Sequence, residues 1–233
     1  MRAASLSGTR HRTSGGGPED AYGWRRDGSH LAVAIADGVS SSPGAGAASA
    51  SAVEAGTRYA LEAAADGTGR EEVVRAIGAA NVAVRNAGGG ATTLVIALLD
   101  ATGRGAIARI GDSSAFILSG GAWREVWLPD SDVGSIRTAT SALPAETPAV
   151  EVAELELGLG DVLVLVTDGI ADPLRDGPTT VAPGLAAALA SAPDPLDLAL
   201  VVDFSRRGVH DDRTLVAVWA IPPETAPGAH LEA

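Results

Sequence analysis

Short apolar runs cut off by glycine or aspartate, with helical periodicity confined to two separated blocks, constrain this chain more than any other feature. Leu31–Ala36 (LAVAIA) is apolar throughout and stops at Asp37-Gly38, the signature of a buried strand ending in a turn. Residues 43–65 are rich in alanine and place Glu54, Arg58 and Glu62 at four-residue steps, which predicts a helix with one charged stripe. Glu71–Asn86 predicts a second helix, apolar at Val73, Val74, Ile77 and Val84 and halted by Asn86 to Gly90. Strand-like runs follow at Ala91–Leu99, Gly105–Ile110, Ser113–Leu118 and Trp123–Leu128, with Gly103, Gly111 and Gly120-Gly121 between them. That spacing predicts an antiparallel meander. Residues 129–150 read as loop, Val150–Leu157 and Asp161–Thr167 as strands, Gly184–Ser191 and Pro195–Arg206 as helices, and Val216–Ile221 as a closing strand. Helices do not alternate with strands, so a doubly wound parallel sheet is excluded. Two antiparallel sheets flanked by helix pairs, an α+β arrangement, fit the order. We expect a single domain over residues 1–222 and a flexible tail at 223–233.

Charge narrows the function. Among 233 residues, 17 basic side chains face 29 acidic ones, for a net charge of −12. Such a surface is unsuited to neutralising phosphates of nucleic acid or anionic lipid. Cysteine is absent, which excludes disulfides, thiolate nucleophiles and thiolate zinc sites. The four histidines are scattered. The opening MRAASLSGTR has no apolar stretch behind its arginines, and no run is long enough to cross a bilayer. A soluble cytoplasmic location is the expectation, and Trp24, Trp123, Trp127 and Trp219 are expected in core or sheet-face packing, with His30, His210 and His230 at the surface.

The aspartates carry the chemistry because of where they stand. Asp37 and Asp168 each end an apolar run and precede glycine; Asp211-Asp212 immediately precedes the last strand; Asp112 lies between two strands; Glu19-Asp20 precedes the first strand region. Asp-Gly after a strand is an ordinary turn when taken singly. Several carboxylates gathered at strand ends repel one another unless a cation neutralises them. Hard oxygen ligands in that number suit magnesium or manganese rather than zinc.

Six segments, in order, give this set a family likeness. They are Pro18-Glu19-Asp20-Ala21, Ala36-Asp37-Gly38-Val39-Ser40-Ser41, Gly90-Ala91-Thr92-Thr93-Leu94, Ile110-Gly111-Asp112-Ser113-Ser114-Ala115, Val166-Thr167-Asp168-Gly169-Ile170-Ala171-Asp172 and Asp211-Asp212-Arg213-Thr214. Together they resemble the motifs of the metal-dependent protein phosphatases of the 2C type, in their compact bacterial form. The resemblance implies a four-layer α/β/β/α sandwich with a binuclear Mg2+ or Mn2+ site in the cleft between the sheets. Carried over by position, Asp20, Asp37, Asp168 and Asp211 would be side-chain ligands and Gly38 would offer its carbonyl. Asp211 is chosen over Asp212 on the same ground. Asp112 and Asp172, with Asp168, match the positions of a third, weaker metal, and Glu19 a position that contacts metal-bound water. The implied reaction is attack of an activated water on a phosphoserine or phosphothreonine phosphorus, with no covalent phosphoenzyme. A phosphoprotein made by a serine/threonine kinase is the expected partner, and the protein itself is expected to be a monomer.

Departures from the pattern shape the alternatives. Ser40-Ser41 replaces a Gly-Gly pair, and Val39 stands where some relatives have a histidine. Ser114 replaces an arginine. The phosphate-binding arginine expected just before the opening acidic pair is missing; Ser14-Gly15-Gly16-Gly17 holds that place, with Arg10, His11 and Arg12 slightly earlier. Arg10 or Arg12 is the candidate to reach phosphate, with Asp37, Asp168 and Arg12 as the candidate catalytic set. A regulatory or binding module with weak turnover is the alternative. A haloacid-dehalogenase-type phosphatase is set aside, because its Asp-x-Asp is absent after the first strand. The loop at 129–150 is short for a substrate flap, which suggests an open cleft.

Overall fold

The computed structural model describes residues 1–14, 17–127, 141–175, 181–204 and 210–222. One sheet contains β2 (Ala21–Arg26), β3 (His30–Ala36), β4 (Leu94–Asp100), β5 (Arg104–Ile110) and β8 (Glu151–Glu156), side by side in that order. The other runs β1 (Arg2–Leu6), β10 (Arg213–Trp219), β9 (Val162–Val166), β6 (Ser114–Ser119) and β7 (Ala122–Glu125). Every pairing within the two sheets is antiparallel.

Three apolar layers explain the continuous runs in β3, β4 and β9, which bury both faces rather than one. Between the sheets lie Val33, Ile35, Val95, Leu163, Leu165 and Val216. Outside the first sheet, α2 (Ala45–Ala63) and α3 (Arg70–Asn86) press Ala48, Ala52, Val73 and Ile77 onto Leu94, Ile96 and Leu98. The small alanine side chains let these helices approach closely. Outside the second sheet, α5 (Val181–Leu189) and α6 (Pro195–Val202) cover Val164 and Leu215 with Leu185, Leu189, Leu198 and Val202. The expected four-layer sandwich is therefore present.

Several local expectations are corrected. The strands over 91–128 are no single meander: β4 and β5 pair in one sheet, whereas β6 and β7 form a hairpin in the other. The chain changes sheets at Gly111-Asp112-Ser113, where Gly111 takes φ 103° and a Cβ would stand 2.5 Å from Thr93 Cγ2. Asp168-Gly169 is not a turn but the start of α4 (Asp168–Arg175), a third helix on that face. Two weakly apolar edge strands, β1 and β2, and the short helix α1 (Thr9–Ser14) were not expected. Trp123 and Trp219 donate to the carbonyls of Ala182 and Leu189, and buried Trp127 lies under the Arg109 guanidinium. Trp24 departs from its expected packing, since it is half exposed and stacks on Tyr22 at the sheet edge. His210 is exposed, and His30 is half-buried against Asp27. Residues 128–140, most of the expected loop, and the tail from 223, which includes His230, lie outside the described residues. Residues 141–150 are irregular, and Leu143 bridges to Thr92 by a pair of backbone hydrogen bonds.

Candidate metal centre

The six segments meet at one end of the seam between the sheets. Asp20, just before β2, is buried, yet its Oδ2 reaches the opposite sheet and accepts from Thr167 Oγ1 at 2.9 Å and Thr214 Oγ1 at 2.6 Å. The backbone N–H of Thr214 in turn donates to Thr167 Oγ1. Because the Thr214 hydroxyl is committed to Asp20, its 2.8 Å contact with Ser5 Oγ makes Ser5 the donor. The threonines of the Thr167-Asp168-Gly169 and Asp211-Asp212-Arg213-Thr214 segments thus position the aspartate of the first segment.

Asp37 leaves the end of β3 and is held by the strand opposite. Its N–H donates to Thr93 Oγ1 at 3.0 Å, and its carbonyl accepts from the Thr92 hydroxyl at 2.8 Å and the Thr93 N–H at 2.9 Å. Gly38 is required for a steric reason. A Cβ there would lie 2.7 Å from the Glu19 carbonyl oxygen and 2.9 Å from the Ala45 backbone. Asp168 begins α4, whose first turn closes through hydrogen bonds from the Ile170 and Ala171 N–H groups to the Thr167 carbonyl.

These carboxylates feel one another. Burial, then the charges of Asp20, Asp168 and Asp112, pushes Asp37 up to about 10. Asp168 rises to about 6, through burial first and then the charges of Asp112 and Asp211, with Asp172 contributing. Asp20 rises to about 7, again mainly through burial, opposed by its Thr214 hydrogen bond and helped by the charges of Asp212 and Asp168. The structure therefore brings together Asp20, Asp37, Asp112, Asp168, Asp172 and Asp211, the expected acidic set. Asp112 is half-buried, whereas Asp172 and Asp211 are exposed.

Asp212 has a different part. It is 4% exposed and saturated: Oδ1 accepts from the Gly8 N–H at 2.7 Å and from His11 Nδ1 at 2.8 Å, and Oδ2 accepts from the Glu19 N–H at 2.7 Å. Among the described residues, the Asp211 side chain has no such ties, and it is exposed. Arg12 pairs instead with Asp203 at 3.0 Å, with both side chains nearly half exposed. Asp172 pairs with Arg175, which also grips Glu125. Ser114, where an arginine was missed, donates to Glu125 Oε1 at 2.6 Å.

The centre meets the requirements of a hard cation in its donor chemistry. All of its ligating candidates are oxygens, and the buried Oδ1 atoms of Asp20 and Asp168 have no hydrogen-bond partner. Among the described residues, no three histidine or acidic side chains are already gathered into a ready-made metal site, so an ion would have to draw these carboxylates closer. Thr92, Thr93, Thr167, Thr214, Asp212 and His11 were missed as site residues. The threonines were visible only as members of the motifs, and no spacing tied His11 to the site.

This arrangement defines a class: a two-sheet sandwich with an acidic centre across one end of its seam. The sequence profile of the protein phosphatase 2C family matches residues 7–194, and the chain belongs to that family. No curated protein matches the sequence. Solved structures share the fold. The PPM Ser-Thr phosphatase MsPP from Mycobacterium smegmatis, in complex with cacodylate, is 21% identical with a TM-score of 0.63, over 94% of this chain and 98% of that one. The Mycobacterium tuberculosis serine/threonine phosphatase PstP is 21% identical with a TM-score of 0.57, over 93% and 97%. RsbX in complex with magnesium is 17% identical with a TM-score of 0.61, over 92% of each chain. No helix among the described residues is long and apolar enough to cross a membrane.

Proposed function

We propose that this chain is a metal-dependent phosphatase that hydrolyses phosphoserine or phosphothreonine monoesters of proteins, with two Mg2+ or Mn2+ ions and a third, weaker site. One observation carries the reading: aspartates from separate segments raise one another's pKa, and two of their buried oxygens, Asp20 Oδ1 and Asp168 Oδ1, have no hydrogen-bond partner. Asp20, Asp37, Asp168, Asp211 and the Gly38 carbonyl would hold the paired ions, and Asp112 and Asp172, with Asp168, the third. The ions, when bound, supply Lewis-acid charge that acidifies water and neutralises phosphoryl oxygens.

The protein's own contribution is position. Thr167 and Thr214 fix the Asp20 carboxylate from the far sheet, and Thr92 and Thr93 fix the Asp37-Gly38 backbone from the neighbouring strand. A centre built on strand ends holds its geometry through the reaction, so little reorganisation is left for the transition state. Arg12 is the proposed phosphate contact with a described side chain, and it must leave Asp203 to serve; Arg10's side chain lies outside the described residues. Arg12→Ala should then raise KM with kcat little changed, and an unchanged KM would leave Arg12 as Asp203's partner alone. The Arg12–Asp203 pair is also what favours the second reading, a regulatory module with weak turnover. The cytoplasm, a monomeric state and a substrate phosphorylated by a serine/threonine kinase complete the proposal.

Hydrolysis of a phosphothreonine peptide and of para-nitrophenyl phosphate, measured with Mn2+, Mg2+ or chelator, tests the reading. Metal-dependent turnover of the peptide is expected. Mn2+ binding without turnover of either ester would favour the regulatory module.

A further inference from the structure

The segment before the opening acidic pair reaches Glu19 and Asp212 with a side chain, and it is not an arginine. His11, on α1, has only 12% of its side chain exposed and lies between two carboxylates: Nδ1 is 2.8 Å from Asp212 Oδ1 and Nε2 is 3.3 Å from Glu19 Oε2. We infer that His11 is a positioning residue, which Asp212 orients and which fixes the Glu19 carboxylate beside the aspartate cluster. This rests on the reading of that cluster as a metal centre.

The chain builds this contact from several independent ties. Asp212 holds His11 through one oxygen and the Glu19 backbone through the other, so imidazole and carboxylate are referenced to the same buried group. The Glu19 carbonyl is fixed as well, accepting from Ser49 Oγ at 2.6 Å. Gly8 sets the start of α1: its N–H donates to Asp212, and a Cβ there would fall 2.1 Å from the His210 carbonyl oxygen. With both ends of Glu19's backbone fixed, the remaining freedom is in its side chain. Its buried Oε2 has no hydrogen-bond donor, so the 3.3 Å approach of His11 Nε2 is what holds it. Glu19 is the residue next to Asp20, so a carboxylate that swings away changes the field at the centre. Groups that orient metal-site carboxylates from behind change metal affinity or activity by about 10- to 100-fold when removed.

A mere fastener would be replaceable by anything that satisfies Asp212, and that difference can be measured. An asparagine amide stands close to where Nδ1 is, and a glutamine amide close to where Nε2 is. His11→Asn should keep the tie to Asp212 and lose the hold on Glu19. We expect its melting temperature near that of the parent, its Mn2+ affinity by calorimetry down about 10-fold, and kcat on a phosphothreonine peptide down to a similar degree with KM unchanged. His11→Gln should recover part of both losses. Glu19→Gln reads the same contact from the other side and should weaken Mn2+ to a like extent, which keeps the test open if either histidine variant fails to fold. Parental Mn2+ affinity in the folded variants overturns the inference, and does so even with turnover intact, which would leave the phosphatase reading standing. A parent that binds Mn2+ but hydrolyses nothing, with binding weakened in His11→Asn, sustains the positioning role and removes the phosphatase reading. A parent that binds no Mn2+ overturns both.

Discussion

Asp37→Asn should make the metal-free protein more stable while abolishing its metal-dependent activity. In chelator, burial and the surrounding aspartates push the Asp37 carboxyl up to about 10, against 3.8 for the unfolded chain. A carboxyl raised in this way must take up a proton on folding at neutral pH. The cost is absent below the unfolded value and grows with pH until the folded value is reached. At pH 7 it amounts to 1.36 × (7 − 3.8), or about 4 kcal/mol as an upper bound. Local relaxation and water reduce this, and about 1–4 kcal/mol is the working range. Asparagine has nearly the same shape and carries no charge. At roughly 3 °C per kcal/mol for a chain of this size, the melting temperature in chelator should rise by about 3–12 °C. Stability of the parent in chelator should also fall as pH rises from about 4 toward 10, less steeply in the variant. Differential scanning calorimetry in chelator across that range is the assay. A variant less stable than the parent at pH 7, or with the same pH slope, would refute the picture of aspartates held together against their own repulsion.

Three other outcomes follow from the same geometry. Thr214→Val removes the 2.6 Å donor to Asp20 and strands Ser5; a loss of about 1–3 kcal/mol in urea unfolding and weaker Mn2+ binding by calorimetry are expected. Gly169→Ala would put a Cβ 2.2 Å from the Asp212 carbonyl oxygen, so the start of α4 must shift; a cost of about 1–3 kcal/mol or more is expected in urea unfolding, together with loss of Mn2+-dependent hydrolysis as Asp168 moves. Mn2+ at 100 times its dissociation constant should stabilise the parent by about 2.7 kcal/mol, seen as a rise in melting temperature that is missing in Asp168→Asn.

How much of this was legible in the sequence depended on how continuous each signal was. Leu31–Ala36 and Val162–Val166 are apolar on both faces and run up to Asp37-Gly38 and Thr167-Asp168-Gly169, so their strands and the aspartates after them could be read directly. The edge strands Arg2–Leu6 and Ala21–Arg26 carry arginines and few apolar residues. They become strands because β10 and β3 offer them a partner in register, which is a tertiary cause. Asp168-Gly169 has the composition of a turn, and only the hydrogen bonds to the Thr167 carbonyl make it a helix start. The step from β5 to β6 looks like a hairpin because periodicity within a strand does not reveal which sheet it joins. At the site, the aspartates announced themselves by position, whereas the hydrogen bonds that occupy Asp212 left no mark in the sequence. The hydroxyls that hold the aspartates left none either, since a threonine that donates across the seam has the same local sequence as one that packs. His11 was hidden in the same way: its partners are 8 and 201 residues away.

The most direct test counts the ions. A calorimetric titration of the chelator-stripped protein with Mn2+ should show two ions bound to the parent, with Asp37→Asn and Asp168→Asn each losing that binding while remaining folded. A parent that takes up no Mn2+, or variants that bind it as well as the parent, would contradict the assignment of this aspartate cluster as a binuclear metal centre.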